Sequence, residues 1–326
     1  MDLSVKYMGL NLKSPLIVGS SGLTNSVENV KELEKFGAGA VVLKSLFEEQ
    51  ILFEADAASK ENEYDYPEAL DYIKSYAKEE SISTYLKLIE DCKKEVSIPI
   101  IASVNCVTDG KWLEFASKME KAGADALELN VSLLPTDLEK SSAENEKLYF
   151  EIIEQVKKVV KIPVALKMSH YSAGLAHLIK TLDWTKNIDA FVLFNRYYNP
   201  DIDIHTMKIT SSGVFSSPSD IAASLRWVAV LSDNIRTNIS ASTGVHSGAD
   251  IVKQLLAGAD TVQVVSAIYK HGPSYVKTML DEVQEWMNKQ NFKTLEDYRG
   301  KVSYKNVQNP VAFERVQFMK YFGGIE

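Results

Sequence analysis

The stretch KAGADALELN, residues 121–130, ends a helix with a glycine and runs directly into an apolar strand. The same pattern occurs as FGAGAVVLKS (36–45) and LAGADTVQVVS (256–266), with a weaker copy in NIDAFVLFN (187–195). The glycine suits the left-handed residue that ends a helix, and the apolar run suits a buried parallel strand. The repeat therefore predicts successive helix-to-strand units.

Four further strands are predicted between these repeats, and three of them follow a proline. They are SPLIVGSS (14–21), SIPIIAS (97–103), KIPVALKM (161–168) and TNISAST (237–243). Amphipathic helical stretches alternate with the strands, for example residues 143–160 and 272–289. Eight strand–helix units predict an α/β fold, a closed (β/α)8 TIM barrel, with an open doubly wound sheet as the alternative.

Four segments fall outside these units. Residues 46–83 after the second strand and 196–217 after the sixth are too long for simple crossovers. Both follow strand carboxyl ends, where barrel enzymes keep their sites, so we predict lids over a pocket. LSVKYMGLNLKSP (3–15) predicts a hairpin that closes the barrel bottom, and residues 290–326 predict a tail packed outside. Residues 1–326 are expected to form one domain.

The composition excludes several classes of function. The 326 residues are 45% hydrophobic with a net charge of −8, which argues against a nucleic-acid partner. There is no basic-then-apolar leader and no apolar run of ~18 residues, so we expect a cytoplasmic protein without a membrane partner. Cys92 and Cys106 are too few for a disulfide framework or a cluster of four thiolates, and no metal site is predicted.

Polar side chains recur where the predicted strands end. They are Ser20, Ser21, Lys44, Ser45, Ser103, Asn105, Asn130, Ser132, Lys167, Asn195, Arg196, Thr243 and Ser266. One such residue fits a solvated barrel rim, but two lysines and two asparagines at one mouth predict a functional site. The turns after the seventh and eighth strands carry small residues where barrels bind a phosphate through backbone N–H groups.

A resemblance to a known family rests on four segments. They are KSLFEEQI (44–51), LELNVSLLPTD (127–137), LFNRYYNPDID (193–203) and NPVAFER (309–315). Together with the strand pattern from Leu3 to about Asp297, they resemble the dihydroorotate dehydrogenase family of flavin-dependent barrels, especially its dihydroorotate dehydrogenase-like branch.

The resemblance implies an FMN-dependent oxidoreductase. Hydride would pass between a small anionic, dihydropyrimidine-like substrate and flavin N5, as in pyrimidine biosynthesis. Relatives are often homodimers, and a homodimer is expected here. The resemblance names no electron acceptor.

The resemblance also implies roles for individual residues. Those bordering the flavin would be Ser21, Lys44, Ser45, Ser103, Asn130, Lys167 and Gly213, with Thr243-Gly244 and Val265-Ser266 as the two phosphate turns. Relatives have Gly-Gly and Gly-Thr at those turns. Those facing the substrate would be Lys44, Asn130, Asn195 and Arg196. Lys167 is expected to stabilise the anionic reduced flavin, and its alternative role is an ion pair with a carboxylate inside the mouth.

The catalytic loop departs from the family pattern. Relatives have Asn-x-Ser-Cys-Pro-Asn after this strand, or a serine as the base, whereas Leu133 occupies the base position here. The family's substrate loop, Asn-x-x-Gly-x-x-Asn, is also absent from residues 46–83. Because leucine cannot accept a proton, turnover of dihydroorotate is expected to be slow or absent.

Several residues near the strand ends are candidates for a replacement base. They are Cys106, His170, Tyr171, Tyr197, Tyr198 and Ser132. Packing is the alternative role of the Cys106 thiol, whereas His170 has a pKa suited to acid–base work. Strand alternation points Ser132 away from the base position. His246 and His271 are expected to cap helices or meet solvent.

Arg196 has two predicted roles. Its guanidinium either pairs with an acidic residue of the chain, namely Glu48, Glu49, Asp201 or Asp203, or binds the carboxylate of a substrate. Glu48 and Glu49 are alternatively expected to pair with Lys44.

Two other functions remain open at this point. One is a non-redox lyase or isomerase in which Lys44 or Lys167 acts as amine or base on a phosphorylated ligand. The other is a flavin-binding protein without catalysis.

Overall fold

The computed structural model describes residues 1–53, 67–106, 109–131, 133–197 and 199–314, with the backbone alone for 67–78 and 109. The candidate bases Ser132 and Tyr198 lie outside these ranges, as do residues 54–66 of the first predicted lid.

The strands of the described residues form a closed barrel and two hairpins. In chain order they are β1 (Val5–Tyr7), β2 (Leu10–Leu12), β3 (Leu16–Val18), β4 (Ala40–Val42), β5 (Leu46–Phe47), β6 (Ile100–Asn105), β7 (Ala126–Asn130), β8 (Val164–Met168), β9 (Ala190–Leu193), β10 (Pro200–Asp203), β11 (Lys208–Ser211), β12 (Asn238–Ser242) and β13 (Thr261–Val264). Parallel pairing runs in the order β3, β4, β6, β7, β8, β9, β12, β13, and β13 pairs with β3. The predicted eight-stranded TIM barrel is confirmed, and the open sheet is not formed.

Helices follow the barrel strands and cover them. They are α1 (Val27–Lys35), α2 (Pro67–Glu95), α3 (Asp109–Lys121), α4 (Ser142–Val159), α5 (Leu175–Thr185), α6 (Ile221–Leu231), α7 (Gly248–Ala257), α8 (Ser266–His271), α9 (Tyr275–Lys289) and α10 (Val311–Glu314). Gly123 and Gly258 end α3 and α7 with φ of 95° and 111°, the left-handed conformation that the repeat predicts.

The two long connections contain regular structure. The first holds β5, helical residues 48–53 and the start of α2, which continues to Glu95, past the predicted end of the lid at residue 83. The second holds the antiparallel hairpin β10–β11, in which Ile202 faces Ile209. Their role as lids stays a prediction.

The amino-terminal hairpin closes the lower end of the barrel, as predicted. The Met8 N–H donates to Oδ1 of Asn238, the first residue of β12, at 2.9 Å. Tyr7 is 1% exposed beneath the strands. At the other terminus, the Tyr298 ring packs against Trp286 with centroids 4.9 Å apart, so the described part of the tail lies against α9.

Candidate active site

The carboxyl ends of the barrel strands surround a cavity of about 270 Å³. Its walls include Ser20, Lys167, Asn195, Arg196, Gly244 and Ser266. A second cavity of about 390 Å³ adjoins it and shares Phe194, Asn195, Arg196, Ser242 and Thr243. The barrel therefore brings predicted site residues from separate strand ends to one mouth.

A buried cation lies on the floor of this cavity. Lys167 is 8% exposed, and its Nζ donates to Oε1 of Gln263 at 3.1 Å. Oε1 of Glu128 lies 3.6 Å from the same Nζ, and Nε2 of Gln263 donates to Oε2 of Glu128 at 2.5 Å. The ion pair predicted as the alternative role of Lys167 is thus present. The flavin role stays a prediction.

Two asparagines at the barrel mouth are joined by a direct hydrogen bond. Asn130 ends β7 and pairs in register with Lys167 of β8, which puts both side chains on the same face of the sheet. Nδ2 of Asn195 donates to Oδ1 of Asn130 at 2.9 Å. The two amides therefore hold each other beside the cation.

The turn after β12 has two successive residues in the left-handed conformation. Thr243 and Gly244 have φ of 80° and 79°. A Cβ on Gly244 would lie 2.1 Å from the Ile221 backbone N, so this position requires glycine. Among the described residues, no hydrogen bond from the Thr243 or Gly244 N–H is formed. Thr243 donates through Oγ1 to the Phe194 carbonyl at 3.1 Å.

The turn after β13 adds a hydroxyl to the same cavity. Val265 precedes α8, and Oγ of Ser266 accepts from the Ser216 N–H at 3.0 Å. Backbone donors at Gly244 and at the start of α8, with the Lys167 ammonium below them, make a donor set that fits a phosphate and a ring that takes up negative charge. The described residues therefore fit the flavin that the resemblance implies.

Three serines connect the ends of the first strands. Oγ of Ser45 lies 2.9 Å from Oγ of Ser20 and 2.6 Å from Oγ of Ser103. The Tyr85 hydroxyl accepts from the Ser103 N–H at 2.9 Å and donates to the Ser103 carbonyl. Ser45 and Ser103 are thus brought together, but Ser103 is fully buried, and the cofactor roles of both stay predictions.

Three other predicted residues lie apart from this cluster. Lys44 is exposed and lines a separate cavity of about 690 Å³ beside α2. The Ser21 hydroxyl accepts from the Leu23 N–H at 3.3 Å and so caps a local turn. Gly213 lies in the connection after β9, where its carbonyl accepts a hydrogen bond from Arg196. The cofactor roles of these residues stay predictions.

The internal partners predicted for Arg196 are wrong. Nη1 and Nη2 donate to the carbonyls of Val214 and Gly213 at 2.8 and 3.1 Å, and Nε lies 3.9 Å from Oδ2 of Asp220. Glu48, Glu49, Asp201 and Asp203 do not meet it. The guanidinium faces the connection that follows its own strand because that chain folds back over it.

The candidate bases differ in their surroundings. Burial and the nearby Glu48 carboxylate raise the pKa of the Cys106 thiol well above its ordinary value, which disfavours the thiolate. His170 lines the adjoining cavity and stacks on Tyr171 with centroids 4.5 Å apart. Burial lowers the pKa of His170, so its imidazole is neutral at pH 7 and can accept a proton. Tyr197 packs edge-on against Tyr171.

Leu133, the residue at the predicted base position, is held through its backbone carbonyl. The Leu133 carbonyl accepts a hydrogen bond from Oγ of Ser169 at 2.9 Å, and its side chain lines a cavity of about 330 Å³ beside α4. The position therefore carries no titratable group.

His246 and His271 are the two histidines that were expected to cap helices or meet solvent. Nε2 of His246 lies 3.1 Å from Oγ of Ser216, so this imidazole contacts the connection after β9 instead of capping a helix. Burial and the nearby Lys270 ammonium lower the pKa of His246. His271 packs against the Tyr275 ring.

Four residues of the site were missed by sequence analysis: Glu128, Gln263, Asp220 and Ser216. Glu128 and Gln263 are polar residues inside apolar strands, and Glu128 precedes Asn130 by two positions. Strand alternation would have put that pair on one face, so a usable signal existed. Asp220 and Ser216 follow a hairpin that the sequence pattern does not predict.

Neither a metal centre nor a membrane span is found in the part of the chain that the structure describes. No group of three His, Cys, Asp or Glu side chains there could hold a metal ion. No described helix is both long and apolar enough to cross a membrane.

The fold and the cavity together have the construction of a barrel enzyme, with its site at the carboxyl ends of the strands. The family model described as dihydroorotate dehydrogenase matches residues 2–287. The chain therefore belongs to the dihydroorotate dehydrogenase family. It is a flavin-dependent dehydrogenase of the class that acts on CH–CH groups.

Individual relatives are similar along most of the chain. Dihydroorotate dehydrogenase B (NAD(+)), catalytic subunit, from Thermoplasma volcanium is 28% identical over 311 residues, covering 92% of this chain and 98% of the relative. The protein of the same name from Methanocaldococcus jannaschii is 25% identical over 310 residues, covering 91% and 97%. Dihydropyrimidine dehydrogenase (NADP(+)), chloroplastic, from Arabidopsis thaliana is 25% identical over 326 residues, covering 92% and 76%.

Proposed function

We propose that the protein binds FMN non-covalently at the barrel mouth and oxidises or reduces a dihydropyrimidine-like substrate by hydride transfer at flavin N5. One observation carries the proposal. The buried Lys167 ammonium lies on the floor of a cavity whose walls include Gly244 and Ser266 of the two phosphate turns. Bound there, the flavin supplies the two-electron acceptor.

Lys167 and the phosphate turns would act on the two ends of the cofactor. The Lys167 ammonium would stabilise negative charge on a ring bound in this cavity, and its burial would make the interaction stronger than it is in water. Backbone N–H groups at Gly244 and at the start of α8 bind the phosphate without a further cation.

Asn130 and Asn195 would orient the substrate. Because Asn195 donates to Asn130, the directions of both side-chain amides are fixed at the barrel mouth. Arg196 borders the same cavity, and its planar guanidinium suits a carboxylate or a ring carbonyl.

The substrate class is supported by the names of the relatives. The Thermoplasma volcanium protein is named for dihydroorotate and the Arabidopsis thaliana protein for dihydropyrimidine. Both names denote a reduced pyrimidine ring, and we extend that chemistry to this chain. Leu133 at the base position argues that dihydroorotate itself is oxidised slowly, and His170 is the described side chain best suited to accept the proton.

FMN binding is tested by mass spectrometry of the cofactor released on denaturation. Hydride transfer is tested by anaerobic titration of the oxidised protein with dihydroorotate and 5,6-dihydrouracil. We expect FMN in equimolar amount and bleaching of the flavin absorbance by a reduced pyrimidine. A colourless protein that FMN cannot reconstitute would overturn the proposal.

A further inference from the structure

The floor of the cavity is a buried cluster from three strands. Glu128 on β7 is 1% exposed, Lys167 on β8 is 8% exposed and Gln263 on β13 is 3% exposed. The strands β7 and β13 are not neighbours in the barrel. The hydrogen bond from Gln263 to Glu128 therefore crosses the barrel interior beneath the cavity.

Within this cluster Gln263 connects the two charges. Its Oε1 accepts from Lys167 at 3.1 Å, and its Nε2 donates to Glu128 at 2.5 Å. The side-chain amide has one acceptor end and one donor end, so it joins a cation to an anion without being left unsatisfied. This arrangement holds Lys167 at a defined place on the floor.

One oxygen of the Glu128 carboxylate accepts no hydrogen bond from the described residues. Oε2 takes the Gln263 bond, whereas Oε1 lies 3.6 Å from the Lys167 Nζ and has no hydrogen-bond partner among the described side chains and backbone. A carboxylate buried this deeply is costly unless a nearby cation compensates it. Its negative charge in turn opposes the field that Lys167 exerts on anything in the cavity.

We propose that Glu128 is a positioning residue that partly neutralises Lys167 and, through Gln263, holds its ammonium group in place at the proposed flavin site. The inference rests on the proposed function, because the group whose reactivity it sets is the bound flavin. It follows that Glu128 and Lys167 affect the flavin in opposite directions. Removal of the carboxylate makes the ring more electrophilic, and removal of the ammonium makes it less so.

Sulfite affinity measures this effect without relying on turnover. The sulfur lone pair forms a bond to flavin N5, and the ring takes up the negative charge, so a more cationic floor favours the adduct. We expect Glu128→Gln to bind sulfite about tenfold more tightly than wild type and Lys167→Met to bind it at least about tenfold more weakly. The readout is the loss of flavin absorbance on titration.

A matched control removes a buried carboxylate at the other end of the barrel. Asp183, 9% exposed, accepts from the Arg236 and Thr237 backbone N–H groups near the start of β12. Asp183→Asn should leave sulfite affinity unchanged even if it lowers stability. Equal or weaker sulfite binding in Glu128→Gln would overturn the neutralising role, since a purely structural residue has no reason to strengthen the adduct.

Thermal unfolding of the purified protein tests the pair independently of flavin chemistry. We expect Glu128→Gln and Lys167→Met each to lower Tm by about 5 °C, because each leaves one buried charge uncompensated. The double variant should recover much of that loss, as coupled residues do. Additive losses would overturn the pairing. A colourless protein with coupled losses would instead overturn the proposed function and keep the pair.

Discussion

The floor and the rim of the barrel mouth are built from different parts of the chain. On the floor, Lys167, Glu128 and Gln263 sit on strands and are bonded to one another in the interior. On the rim, Arg196 and Leu133 come just after strand ends, and Arg196 bonds the carbonyls of the connection that follows it. Strand residues are held by the ladder, whereas connections can change without disturbing the barrel. The difference accounts for the pattern that the resemblance predicts, in which residues on the strands are retained and the base position after β7 is changed.

The largest expected effect is on the rim. Because the resemblance puts Leu133 at the family base position, dihydroorotate oxidation by the wild type should be about 10²–10⁴-fold slower than in an enzyme with a base there. Leu133→Cys should raise the rate, measured by single-turnover bleaching of the flavin. The backbone at this position is already held by Ser169.

The control for that gain is Leu134→Cys, which places a thiol at the next position of the same loop. An equal gain in both variants would point to an unspecific thiol effect. No gain in Leu133→Cys, with a loss in His170→Ala, would show that the base lies at His170.

On the floor, Lys167→Ala should slow flavin reduction by substrate and lower the reduction potential. Loss of one such buried charge near the ring is worth about 2–4 kcal/mol. Stopped-flow kinetics measure the rate of flavin reduction, and a dye-coupled titration measures the reduction potential. The control is Lys180→Ala, which removes an exposed lysine that lies over the Trp184 ring. An unchanged potential in Lys167→Ala would mean that the lysine only completes the ion pair.

Gly244 of the predicted phosphate turn has a matched control in Gly9 of the amino-terminal hairpin. Gly244 and Gly9 both have φ of 79°, but a Cβ on Gly244 would meet Ile221 N at 2.1 Å, while a Cβ on Gly9 would meet nothing within 4 Å. Gly244→Ala should lower stability by about 3 kcal/mol and abolish FMN retention, whereas Gly9→Ala should cost only about 1 kcal/mol. Urea unfolding and the flavin content of the purified variants measure both. Equal stability losses would show that the turn relaxes around the methyl group.

The smallest expected effect concerns Arg196. A lysine ammonium lacks the planar fork with which a guanidinium binds both oxygens of a carboxylate. Arg196→Lys should therefore weaken binding of carboxylate ligands by about tenfold while FMN stays bound. Flavin absorbance changes report the affinity, and Arg236→Lys at the opposite end of the barrel is the control. Equal affinities in wild type and Arg196→Lys would leave the arginine with a purely structural contact to Gly213 and Val214.

The barrel could be predicted from the sequence because the pattern that indicates it is local. A glycine at the end of a helix followed by an apolar run, as at Gly123 and Gly258, needs only neighbours in the chain. Elements without that signal were missed. The hairpin β10–β11 is mostly exposed on both strands, so no alternation marks it, and α2 starts inside a segment taken for a lid.

The second predicted strand also has a feature that the local pattern does not indicate. It is broken between Val42 and Leu46, and Ser45 in the break bonds Ser20 and Ser103 of the neighbouring strands. The break depends on partners from other strands and has no counterpart in periodicity.

The sequence by itself determined the barrel, the strand ends that form its mouth, and the presence of Lys167, Asn130 and Asn195 there. Those properties follow from residue type and spacing along one strand, so no distant contact is needed to infer them. Only the tertiary structure decided which groups compensate the charges. Glu128 and Gln263 are 135 residues apart, and Arg196 meets Asp220 instead of the acidic residues nearest to it in sequence. A buried charge is stabilised by whatever the closed barrel brings within a few ångströms, and closure, not chain proximity, selects that partner.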